Sequence, residues 1–218
     1  ATAARFVGAD PDYHVVVFCS NTTDAVNRVA SRFRLGTDEL FLTTAVEHHS
    51  NLLPWRLHGR VDYVRAKFPC GMMDLEHLRE KLHEHRGKVR LVAVSGASNV
   101  TGLIPPLAHI ARLCHEHGAM VLVDAAQLIG HRPIRMGAVD DPEHLDFLAF
   151  SGHKMYAPYG AGGVVGPRDF FESGSPAVVG GGVVDLVTSD DVVWTQAPER
   201  EEAGTPNLIG ICALAEAM

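Results

Sequence analysis

Lys154 stands in DFLAFSGHKMYAPYGAGGVVG, residues 146–166, directly after the apolar run Phe147-Leu148-Ala149-Phe150. At the mouth of a buried strand, among small residues, a lysine is partly desolvated. A free amine in that place is a nucleophile able to form a Schiff base with a carbonyl. A lysine that snorkels to water over an apolar stem would satisfy the same pattern. Asp124 poses the complementary problem. In AMVLVDAAQ it follows four apolar residues, with Gln127 three positions on. A carboxylate at the end of a buried strand is costly unless something cationic meets it. The plain alternative is a helix N-cap.

Other short polar groups follow other apolar runs. After HVVVF come Asn21, Thr22, Thr23 and Asp24, at a change from strand to helix. Free backbone N–H groups and hydroxyls there suit an anion such as phosphate, and an ordinary N-cap uses the same residues. After ELFLTTA come Glu47, His48 and His49. An imidazole in that place can lie on a ring or transfer protons, or simply hydrogen-bond at a helix start. Ser98, Asn99 and Thr101 follow the next run and are also turn formers. Ser151 and His153 precede Lys154.

The elements that must position these groups alternate. Strand-length apolar runs are expected at 14–18, 39–45, 61–67, 90–97, 119–126 and 145–150, with a short one at 161–166. Helical patterns are expected at 22–34, 74–85 and 106–118, with a turn or two at 48–58. Residues 180–206 read as an irregular, Gly-rich excursion from the sheet carrying Asp190 and Asp191. Near-continuous Val/Leu/Ile strands separated by helices predict an α/β fold, with a mostly parallel sheet and helices on both faces. In such sheets ligands bind at the carboxyl ends of the strands. A phosphate cradle, a stacking imidazole, a buried carboxylate and a reactive lysine on one sheet edge fit pyridoxal 5'-phosphate.

Composition narrows the classes. The chain has 218 residues, 46% of them hydrophobic, which suffices for one large domain over 1–218. The formal charge of −7 argues against non-specific binding to nucleic acid or anionic membranes, and no apolar run reaches transmembrane length. The scattered cysteines Cys19, Cys70, Cys114 and Cys212 suggest reduced thiols in the cytoplasm. No metal site is expected. The His-x-His pairs in LHEHRG and CHEHG do not face one another on a helix and have no third ligand nearby in sequence. They read as solvated helix ends. The closing NLIGICALAEAM reads as a helix that ought to continue, so a fragment is expected.

Taken in order, VEHHSNLLPW, VDAAQ, FSGHKMYAPYGAGGVVG and EAGTPN resemble the class V aminotransferase-like family of fold type I pyridoxal-phosphate enzymes. The likeness is greatest to its group II cysteine desulfurase and selenocysteine lyase branch, and it spans roughly residues 15–210. The resemblance implies that Lys154 carries the cofactor, Asp124 pairs with the pyridine nitrogen and Gln127 bonds the ring hydroxyl. His48 would stack on the ring and help proton transfer. Thr22, Thr23, Ser151 and His153 would hold the phosphate, with Asn99 near the ring hydroxyl and the substrate carboxylate. Gly204 and Thr205 would reach the phosphate of a partner subunit, implying a homodimer with sites at its interface. The implied substrate is a cysteine-like amino acid, with a sulfur-acceptor protein as partner; the alternatives are another class V reaction (transamination, epimerisation or kynureninase-like cleavage) or a cofactor-binding core without turnover. No cysteine matches the persulfide-forming context of desulfurases, and Asn21 replaces the glycine that many relatives carry before two small residues.

Overall fold

A computed structural model describes residues 1–218. In chain order the strands are β1 (His14–Cys19), β2 (Leu40–Thr44), β3 (Val61–Val64), β4 (Ala66–Lys67), β5 (Met72–Met73), β6 (Val89–Ser95), β7 (Met120–Asp124), β8 (Phe147–Ser151), β9 (Gly162–Pro167), β10 (Val184–Val187) and β11 (Val192–Trp194). The α-helices are α1 (Thr2–Phe6), α2 (Thr22–Arg32), α3 (Leu53–His58), α4 (Leu75–Glu84), α5 (Leu107–His115), α6 (Arg168–Glu172) and α7 (Leu208–Ala217).

Seven strands form one sheet in the order β1-β9-β8-β7-β6-β2-β3. The pairs from β3 through β2, β6 and β7 to β8 are parallel, while β9 runs antiparallel to both β8 and β1. Every strand of this sheet except β9 therefore points its carboxyl end to the same edge. Successive side chains of a strand face opposite sides, and both sides are covered here. Leu40, Leu42, Val92, Val94, Val121, Val123, Leu148 and Phe150 join a core beneath α4 and α5, with Leu78, Leu82, Ile110 and Leu113. The alternate residues Phe41, Leu91, Ala93, Leu122, Phe147 and Ala149 join a second core beneath α2 and α3, with Val26, Val29 and Trp55. Each fully buried Leu, Val or Phe of this kind is worth about 1.5–3 kcal/mol.

Three sequence expectations are revised. The expected strand at 61–67 divides, because the chain leaves the sheet at Arg65 and turns back through Gly71 (φ 80°) to pair β4 with β5. Residues 180–206 hold an antiparallel hairpin of β10 and β11, whose turn Thr188 organises by accepting from Asp190 N (3.3 Å) and Asp191 N (2.9 Å). His85 and His115 are not simply solvated: each sets its Nε2 against a carboxylate oxygen, that of Asp62 at 2.8 Å and that of Asp146 at 2.9 Å. No helix is long and apolar enough to cross a membrane.

Candidate cofactor cavity at the strand ends

The carboxyl ends of β1, β2, β6, β7 and β8 surround a cavity of about 300 Å³ lined by polar residue types apart from Ala97 and Ala126. Thr22, Thr23, His48, Asn99, Asp124, Gln127, Ser151, His153 and Lys154 all line it. Thr205 does not. It lines a separate hollow of about 200 Å³ with Ser20, Asp24, Arg28 and Glu202. Sequence reasoning assigned no role to Ser50 and Ser95, which also line the main cavity. Their signal was positional only, since each lies just past the end of an apolar run.

At the amino end of α2, Asn21 caps the helix by accepting from Asp24 N at 3.1 Å. The Ser151 hydroxyl accepts from Thr22 N (2.8 Å) and lies 2.7 Å from the Thr22 hydroxyl, which joins β8 to α2. Thr23 Oγ1 meets Ser50 Oγ at 2.7 Å. Hydroxyls and a helix N-terminus converge here on one corner, a donor set suited to an anion. Asp24 faces away, accepting from Ser20 N (3.0 Å) and pairing with Arg28 (2.8 Å), so no carboxylate opposes that anion.

Across the cavity, Asp124 is 5% exposed. Its Oδ1 accepts from Ala126 N at 2.9 Å, the only protein hydrogen bond the carboxylate makes. No helix follows, so this bond caps a turn, and Oδ2 is left for another partner. Burial raises the Asp124 pKa, against the lowering pull of the Ala126 N–H and of the charges on Lys154 and His48. Lys154 is the only amine lining the cavity, and no carboxylate pairs with it. His48 Nδ1 accepts from Ser50 N at 3.1 Å, so the neutral ring carries its proton on Nε2. The neighbouring Glu47 fastens this segment to the sheet. Its carboxylate accepts from Thr44 (2.8 Å), Asn51 (2.9 Å) and Ser95 (2.6 Å), and burial raises its pKa.

Glycines set the close backbone approaches behind Lys154. A Cβ on Gly130 would lie 2.6 Å from the Lys154 carbonyl oxygen, and one on Gly162 would lie 2.8 Å from Asn21 Cα. We expect Gly130→Ala to displace the lysine turn and cost about 1–3 kcal/mol in urea unfolding. Gly181→Ala, with open space around its Cβ, should be near neutral. Equal midpoints for the two variants would contradict this packing.

The donor set fits pyridoxal 5'-phosphate. It offers an amine, an unshared carboxylate oxygen, and an anion corner at separate points of one cavity. None of the four cysteines lines it. Burial pushes the Cys19 thiol up to about 12 and the Cys114 thiol higher still.

Comparison with known proteins agrees with this architecture. The family described as Aminotransferase class-V matches residues 1–218. A protein named cysteine desulfurase from Haloferax volcanii is 35% identical over 211 residues, covering 93% of this chain and 48% of its own. Another so named, from Shigella sonnei, is 39% identical over 213 residues, covering 93% and 50%. The crystal structure of the cysteine desulfurase CsdA from Escherichia coli superposes with a TM-score of 0.88 at 33% identity, covering 99% of this chain and 54% of that one. The apo cysteine desulfurase from Thermococcus onnurineus NA1 superposes with a TM-score of 0.86 at 34% identity, over 99% and 53%. The chain spans about half the length of the curated relatives it matches.

Proposed function

The chain belongs to the class-V aminotransferase family, and on that premise we propose that residues 1–218 are the pyridoxal-phosphate-binding large domain of a cysteine desulfurase-like enzyme. The observation that carries the proposal is a single amine, Lys154, in one polar cavity with a buried, half-unpartnered carboxylate, Asp124. When bound, pyridoxal 5'-phosphate supplies an aldehyde that captures amines and a ring that draws electrons from the bonds at a substrate α-carbon. Lys154 Nζ is the nucleophile that would hold that aldehyde, and later the base that takes up or returns the α-proton. Asp124 Oδ2 would face the ring nitrogen and favour its protonated form. Gln127 and Asn99 offer amide groups for the ring hydroxyl and the substrate carboxylate. Thr22, Thr23, Ser151 and His153 would bind the phosphate. His48 would cover the ring and move a proton at Nε2.

The substrate proposed is cysteine or a close analogue, on the likeness to proteins named cysteine desulfurase. Its sulfur would pass to a thiolate brought from outside the cavity. A homodimer is part of the proposal, supported by the separate position of Thr205 and by Leu208 and Ile209 exposed on α7. So is a cytoplasmic setting, where four free thiols stay reduced.

The test is to titrate the purified chain with pyridoxal phosphate, follow visible absorption, reduce with borohydride and map the labelled peptide. Sulfide release from L-cysteine with a thiol reductant is then assayed. A reducible chromophore on the Lys154 peptide and sulfide release are expected. A folded, dimeric chain that takes up no label at Lys154 would overturn the proposal.

A further inference from the structure

At the opposite edge of the sheet, where β7 and β8 begin, three chemistry-bearing side chains meet that the proposed reaction does not use. His115 ends α5, Asp146 immediately precedes β8, and His144 lies in the loop between. Their ligand atoms all lie within 4.8 Å of one another. His115 Nε2 is 2.9 Å from Asp146 Oδ2, and His144 Nε2 is 3.6 Å from Asp146 Oδ1.

The protons on these rings can be assigned from their other nitrogens. His115 Nδ1 lies 2.8 Å from the Pro142 carbonyl oxygen, and His144 Nδ1 lies 2.7 Å from that of Asp141. A carbonyl only accepts, so each Nδ1 carries a proton. Neutral rings then turn two Nε2 lone pairs onto one carboxylate, an arrangement that repels unless a positive charge lies between. Two further protons would supply it, at the expense of stacking two imidazolium rings whose centroids are 4.2 Å apart with planes at 20°. One divalent cation would satisfy all three ligands and leave both rings neutral. A backbone carbonyl on Nδ1 is also the arrangement that presents Nε2 to a metal.

The surroundings favour the same reading. Asp146 is 5% exposed, and its Oδ2 already accepts from Val121 N at 2.7 Å, while Oδ1 has no hydrogen bond. Its only charged partners are the two histidines, with no lysine or arginine among them. A second cluster, Asp62–Glu84–His85, differs on this point. There Lys81 Nζ sits 2.9 Å from both carboxylates, so an ammonium holds the place a metal would take. His14, at the start of β1, is 4% exposed and its Nε2 has no partner. Its Nδ1 accepts from Asp10 N, so Nε2 carries a proton and is a buried donor without an acceptor.

We propose that His115, His144 and Asp146 bind one divalent transition-metal ion of the zinc class, with solvent completing its coordination. Two imidazoles and a carboxylate suit such an ion better than calcium or magnesium, which prefer all-oxygen ligands. The site is structural. It ties the end of α5 and the 141–146 loop to the entry of β8, the strand that ends at Ser151. It stands independently of the cofactor assignment.

The test is titration of the full chain with Zn²⁺ against a fluorescent zinc chelator, with Co²⁺ as a spectroscopic probe of ligand geometry. One equivalent should bind with a dissociation constant at or below the order of 1 μM. His144→Ala and His115→Gln should each weaken that binding at least about 100-fold, while His83→Ala, exposed on α4, should not change it. Saturating Zn²⁺ should raise the thermal midpoint of the unaltered chain by about 5 °C and leave that of His144→Ala unmoved. Binding that survives both substitutions, or no retention at about 100 μM Zn²⁺, overturns the proposal. If the variants do not fold, ¹⁵N shifts of the unaltered chain decide. Ring nitrogens of His115 and His144 that move on adding Zn²⁺ support the site. Two protonated rings indifferent to Zn²⁺ reduce the cluster to an ion pair and sink it.

Discussion

Lys154→Ala is expected to abolish borohydride-reducible attachment of pyridoxal phosphate and to lower cysteine turnover by at least about 10³-fold, with little change in unfolding free energy. The asymmetry follows from position. No other amine lines the cavity, so no neighbour can take over, and Lys154 has no salt bridge whose loss would leave a buried partner unpaired. The turn behind it is held by backbone: Gly152 O accepts from Met155 N at 2.7 Å and from Ala157 N at 3.1 Å, bonds that alanine leaves intact. Lys154→Arg separates the two properties of the side chain. It keeps a positive charge near Asp124 but cannot become a neutral amine at accessible pH. It should be as inactive as alanine. If Lys154→Arg kept turnover within about tenfold, the lysine would be acting as a charge and not as a nucleophile.

Asp124→Asn should lower turnover by about 10²–10³-fold while leaving the chain as stable as before, or more so. Asparagine keeps an oxygen for Ala126 N and therefore preserves the turn cap, removing only the charge. A capping role predicts no functional loss from this change, and an electrostatic role predicts nearly all of it. The sign of the stability effect follows from burial, which raises the Asp124 pKa above the ordinary carboxylate value. A carboxyl whose folded pKa lies above its unfolded one binds its proton more tightly when folded. The resulting stability is full below the unfolded pKa and is lost as pH rises through the folded one. Without cofactor, the native chain should thus gain stability on acidification through that window, and Asp124→Asn should flatten the gain. A bound cation facing Oδ2 would reverse the burden of burial, so the difference between native and variant should shrink or change sign when pyridoxal phosphate is present. Thermal unfolding of both proteins across pH, with and without pyridoxal phosphate, measures this. Matching loss of stability and turnover in Asp124→Asn would return the residue to a purely structural role.

Much of this was legible in order along the chain. The apolar runs at 14–18, 39–45, 90–97, 119–126 and 145–150 became β1, β2, β6, β7 and β8 to within two residues at each end. Nine of the ten residues read as catalytic or cofactor-binding line one cavity, because each was chosen by a local rule, polar and just past a buried strand. Misreadings came where the deciding contact was distant. The 61–67 run has uniform β character, and only the edge position of β3 tells it to stop at Val64. Glu47 was given no role of its own by the sequence, and the donor that ties it to the sheet, Ser95, lies 48 positions away.

The sequence by itself determined the element types and the polar residues that end the strands, since periodicity, capping and burial preference act over a few neighbouring positions. Only the tertiary structure decided which strand ends would meet. Strand order β1-β9-β8-β7-β6-β2-β3 departs from chain order, and it brings Thr22 against Ser151 across 129 positions. It put Thr205 in a different hollow, and at the far edge it gave His115 the carboxylate that its own helix lacks. Those pairings are set by which apolar faces cover each other best over the whole sheet, a sum over distant contacts that no local window contains.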